Sequence, residues 1–312
     1  MENKGVTLYL ILVFGLAFAA EAVLLPLGIL TLTDPGTVSY VLWSVIFFIP
    51  ALSSWIATTI APPNQRFLPE VWPLPAGPTL RIALGVPAIF AVVYGIAALF
   101  GFTRPQWNLG PLMAQLEQAQ TFSETMRASM SPFLLVFGII VTILLGCTIF
   151  AVLALGSELG WRGYLLPRLL PGGVLRAHVL TGLLWAVWFF PVIFWMYRGG
   201  TTSGSMLGFT LRALVMSVAL SIILGEIVRR HEHVGLAAVF LGSFVAQSEG
   251  MWRFLFPIGN PPWTGVFGII SLLVWCLIAL MPGLLIGRGK LAVRVAAPPE
   301  ERRPGLDLSA RE

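Results

Sequence analysis

PFLLVFGIIVTILLGCTIFAVLALGSELGWRGYLLPR, residues 132–168, decides how this chain is solvated. From Pro132 to Gly156 it carries no charge, and a helix needs only about 20 apolar residues to cross a bilayer. The run then meets Glu158 and Arg162, one helical turn apart. Ionisable residues at such a place are costly in lipid and mark either a function or a buried pair. At i, i+4 the carboxylate and guanidinium share a helix face and neutralise each other. Gly160 and Gly163 leave the backbone beside them open to close approach by another helix.

Composition extends that reading to the whole chain. Of 312 residues, 57% are hydrophobic and 11% charged, against about 25% charged in an ordinary soluble domain. With a mean hydropathy of +0.87, the fold expected is all-α: a polytopic membrane protein of about eight transmembrane helices. The spans fall near 7–29, 38–61, 80–101, 132–156, 178–198, 206–228, 234–256 and 264–287. The seventh is the weakest, because Gln247, Glu249 and Arg253 interrupt it, so its end is either short or lines a polar cavity. The first looks like a secretory signal up to AFAAEA, but the apolar run resumes past Glu21 as AVLLPLGIL, so an uncleaved helix is expected.

All but five of the 19 lysines and arginines fall on one side of these spans. The five are Arg104, Arg127, Arg198, Arg212 and Arg253. Basic loops stay in the cytoplasm, so both termini are expected there, in a plasma or bacterial inner membrane, with Glu158 near the cytoplasmic end of span four. The sequence pI of 9.7 therefore reflects topology and no nucleic-acid partner is expected. Three regions follow: helices one to three with a far-side loop at 1–129, a core of helices four to eight at 130–288, and a Pro-, Ala- and Arg-rich tail at 289–312 that reads as disordered. Within the loop, PLMAQLEQAQTFSETM has the pattern of a short amphipathic helix. Cys147 and Cys276 lie inside apolar runs and read as packing residues, and the chain has no P-loop, GxGxxG, HExxH or CxxC.

SELGWRGYLLPRL resembles the first signature of the CAAX-protease and bacteriocin-processing family of intramembrane endopeptidases, read there as EExGWRGxLLPRL. GLLWAVWFFPVIF, residues 182–194, is similar to the second, a Trp-rich helix running into His-x-Pro. EIVRRHEHVGLAAVFLGSFVA, residues 226–246, is similar to the third, an apolar helix ending in His-x-x-x-Asn. The resemblance covers roughly residues 130–250 and implies an eight-helix fold that hydrolyses peptide bonds inside the membrane. At the positions that would activate water and hold the oxyanion, however, this chain has Ser157, Phe189, Gly242 and Ala246. Glu158 and Arg162 survive, as does Pro191 of the second signature.

Residue chemistry points the same way. Hydrolysis needs a base near the nucleophilic water and a group to hold the developing oxyanion, and Phe189 and Gly242 supply neither. The three histidines, His178, His231 and His233, lie at span ends or in the turn RRHEH, which reads as solvated. Glu158 and Arg162 read first as a structural ion pair, Ser157 as bonded to its own backbone, and the aromatics from Trp185 to Trp195 as lipid-facing and interfacial. Phe189 and Phe190 are expected to fill the space where a metal or water would sit. The expectation is thus an inactive relative of the protease fold, with no metal or cofactor, that binds membrane proteins or lipidated peptides within the bilayer. Two rivals stand beside it: an endopeptidase pairing Glu158 with another group such as His178, and a small-molecule permease using Glu21 and Glu249.

Overall fold

The computed structural model describes residues 2–27, 37–61, 70–110, 112–114, 124–192, 194, 205–257 and 262–281. Among these, helices are the regular elements, joined by turns and loops, and one isolated bridge links Glu70 and His233. The expected tail at 289–312 and the middle of the amphipathic segment at 115–123 lie outside the described residues. In chain order the helices are α1 (Glu2–Leu24), α2 (Thr37–Ile60), α3 (Ala76–Leu99), α4 (Glu124–Cys147) and α5 (Ile149–Glu158). A π-helical turn (Leu159–Leu165) leads to α6 (Leu166–Leu169) and a 3-10 turn. Then come α7 (Val174–Trp188), α8 (Met206–His231), α9 (Val234–Glu249), α10 (Trp252–Leu255) and α11 (Ile269–Leu280).

Among the described residues, six helical stretches are long and apolar enough to cross a membrane: Lys4–Leu24, Leu42–Ile60, Ala76–Leu99, Pro132–Gly172, Met206–His231 and Val234–Leu255. Two shorter apolar helices, α7 and α11, stand where the fifth and eighth spans were expected. The fourth stretch does not stop at Gly156. It bends at Thr148, whose hydroxyl bonds back to Leu144 O at 2.6 Å, and continues helically to Gly172. A side chain competing for the i−4 carbonyl is a known cause of helix bending. Glu158 and Arg162 therefore lie within the helix rather than after it.

Val234–Leu255, where the seventh span was expected, has the lowest hydropathy of the six stretches and is the most buried. Helix α9 is the central pillar, packed by α3, α4, α5 and α8. Its small residues Gly235, Ala237, Ala238, Gly242, Ser243 and Ala246 let neighbouring backbones approach. Protein rather than lipid surrounds it, so Gln247 is tolerated: its amide donates to Thr142 at 3.2 Å and accepts from the Trp252 indole at 2.7 Å.

Loop contacts show which connections share an end. Glu70 pairs with the α8–α9 turn, donating to Glu232 O at 3.0 Å and accepting from Val234 N at 2.8 Å. At the opposite end Gln106 N donates to Leu255 O at 2.7 Å and the Thr103 hydroxyl to Pro257 O at 3.0 Å. The second and sixth connections thus meet at one end, and the third and seventh at the other. His233 is not in a solvated turn: it is 1% exposed. Its Nδ1 caps α9 by accepting from Leu236 N at 3.3 Å, which leaves Nε2 to donate to Pro73 O at 3.0 Å.

Candidate functional site

Glu158 is the last residue of α5, and Arg162 sits in the π turn that follows. Single π turns inside α-helices concentrate at functional sites. Arg162 Nη1 donates to Glu158 Oε1 at 2.8 Å, and both side chains are 0% exposed. The guanidinium also lies over the Trp185 ring of α7, 4.5 Å from its centroid. On the other face of the segment, a Cβ at Gly160 would meet the Pro50 backbone of α2 at 2.6 Å. Only glycine permits that approach, which clamps the π turn against α2.

Around the pair stands a cage of aromatic side chains. Tyr9 of α1 packs edge-on to Trp161 at 5.9 Å and beside Tyr164 at 4.9 Å, and Trp161 meets Trp188 at 6.3 Å. Trp185 and Trp188 are 3% and 1% exposed, so these two do not face lipid as their hydropathy suggested. Several polar atoms in the cage have no hydrogen-bond partner among the described residues: Arg162 Nε and Nη2, Glu158 Oε2, Trp161 Nε1, Ser157 Oγ and the Tyr9 and Tyr164 hydroxyls. The interior is thus charge-balanced but short of hydrogen bonds, an arrangement that costs free energy.

The four substituted positions fare differently. Ser157 is fully buried, one turn before Trp161, and its hydroxyl is without a partner where a back-bond was expected. Phe189 packs edge-on against Trp188 at 4.8 Å, Trp185 at 5.6 Å and Phe47 at 6.0 Å. Phe190 turns outward and is 43% exposed, so it does not fill the interior as expected. At Gly242 a Cβ would lie 2.5 Å from Gly146 O and 2.6 Å from Phe150 C, which are backbone atoms flanking the Thr148 bend. Ala246, one turn later, is buried, and Gly146 lies close to it.

The remaining ionisable groups gather elsewhere. His178 Nε2 lies 3.2 Å from Glu226 Oε1, and Glu226 also accepts from Arg229 at 2.7 Å and from Arg230 at 2.9 Å. Its ring rests on Gly225, where a Cβ would collide with it, so His178 is committed to α8. Glu21 is 1% exposed and has no ion pair among the described residues. Glu249 is 64% exposed and pairs with Arg253 at 2.9 Å, so it lines no interior path. Among the described residues no three His, Cys, Asp or Glu side chains converge as metal ligands would.

Sequence reasoning found the pair but missed Tyr9 and Trp185, which complete its surroundings. The signal available for Trp185 was its place among the aromatics of the second signature; for Tyr9 there was none, because a tyrosine near a helix end reads as interfacial. No protein-family model matches this chain, and no curated protein matches its sequence.

Proposed function

We propose that this is an eight-span membrane protein related in fold to the CAAX-protease and bacteriocin-processing endopeptidases, with cytoplasmic termini, that binds rather than cleaves. Its partners would be other membrane proteins or lipidated peptides held beside the Glu158–Arg162 cage. The observation carrying this reading is that Glu158, the surviving carboxylate, is wholly buried and ion-paired with Arg162 through Oε1. A general base must reach the proton it removes, and this one faces a guanidinium. Gly242 adds support, since its tight backbone contact leaves no room for an imidazole in the third signature. His178, the alternative partner for a working site, is occupied by Glu226, and of the two carboxylates a permease would use, Glu249 is exposed and paired with Arg253, which leaves Glu21 alone in the interior.

The test is a cleavage assay on the purified full chain in proteoliposomes, using quenched fluorescent lipidated peptides. Cleavage is expected at background, unchanged in Glu158→Gln. Robust cleavage abolished by Glu158→Gln would return the protein to the active proteases.

A further inference from the structure

We infer that α1 is a movable cover over the Glu158–Arg162 cage, closed in this structure and displaced when the cage is used. The inference goes beyond the proposed function, because it holds whether the cage binds a partner or cuts one.

Helix α1 packs chiefly along α2 and meets α7 more lightly. Its inner stripe is narrow: Tyr9, Val13 and Ala17 recur every fourth residue and are 0% exposed, while Ile11 and Leu16 face outward. Tyr9 is the part of α1 that closes the cage, lying on Trp161 and Tyr164. Phe14 adds a second contact to Trp161 at 6.4 Å.

Closure seals in polar atoms that it does not satisfy. Arg162 Nε and Nη2, the Trp161 indole N–H and the Tyr9 hydroxyl are buried without partners among the described residues. Each would gain a hydrogen bond from water or a polar guest once α1 moved aside. The closed state therefore keeps its aromatic contacts at the cost of unmade hydrogen bonds, and the open state exchanges one for the other. Opposed terms of this kind make a two-state element that a ligand can bias.

The geometry supplies its own lock. A Cβ at Gly5 would lie 3.7 Å from the Ala61 Cβ, within the usual range for a disulfide, one turn from Tyr9. In the full chain with Cys147→Ser and Cys276→Ser, Gly5→Cys and Ala61→Cys are introduced together with Ser157→Cys as the reporter. The protein is reconstituted in liposomes and oxidised with copper phenanthroline. N-ethylmaleimide modification of residue 157 is then followed by mass spectrometry. Labelling tracks the population of the open form, so oxidation is expected to slow it roughly tenfold or more, with recovery on reduction. A second variant needs no crosslink: Tyr9→Ala beside Ser157→Cys is expected to label roughly tenfold faster than Ser157→Cys alone. Equal rates with and without the lock, or no acceleration by Tyr9→Ala, would overturn the inference. So would a reporter that never labels in the unlocked folded protein yet labels once unfolded.

Discussion

Removing both members of the Glu158–Arg162 pair should cost far less than the sum of removing each alone. In Arg162→Met the carboxylate stays fully buried, with neither oxygen bonded, and breaking a buried pair in this way costs about 3–5 kcal/mol. Glu158→Gln falls at the lower end, about 3 kcal/mol, because the guanidinium keeps the Trp185 face 4.5 Å away. A desolvated contact of that kind contributes up to about 2 kcal/mol. The double variant leaves no buried charge. Its cost is that of a buried, poorly bonded amide plus a small void, about 3 kcal/mol in total. The coupling between the sites is therefore about 3–5 kcal/mol. Equilibrium unfolding in mixed detergent micelles, followed by tryptophan fluorescence, measures all three, since Trp161 and Trp185 flank the pair and report on its surroundings. Additive losses, or an Arg162→Met cost below about 1 kcal/mol, would refute the claim that this pair is coupled and dry.

Gly242→His, the substitution that would restore the third signature, is expected to destabilise the fold rather than revive chemistry. Overpacking typically costs about 1–3 kcal/mol and here meets backbone that cannot rotate away; detergent thermal stability checks it, and a variant as stable as the parent would contradict the α9–α5 contact. Reporter fusions or cysteine labelling at residues 4 and 300 test orientation, and both sites are expected to react only from the cytoplasmic face.

Much of the architecture was legible because lipid imposes it. The long uncharged runs had to become helices, since backbone groups find no water in hydrocarbon, and six of the expected spans stand with shifted ends. The fourth ran past its expected end because Glu158 and Arg162 cancel each other's charge, leaving the helix free to continue. The seventh looked weak for the opposite reason: hydropathy weighs Gln247 against lipid, whereas α9 meets protein on almost every side. Phe190 and Trp188 show the same limit two residues apart, one facing outward and the other sealed within.

By itself the sequence determined the solvent, the helical class and the ion pair. Each of these depends on neighbours along one chain segment: run length for the span, a four-residue spacing for the salt bridge. Only the tertiary structure decided that Tyr9 closes the cage, that Trp185 carries the guanidinium, that His178 belongs to Glu226, and that Gly242 is pressed against a helix bend. The physical reason is that a bilayer and a protein core are equally apolar. Hydropathy finds the helices in a membrane chain but cannot tell which face meets lipid and which meets another helix, and that choice rests on contacts between residues far apart in sequence.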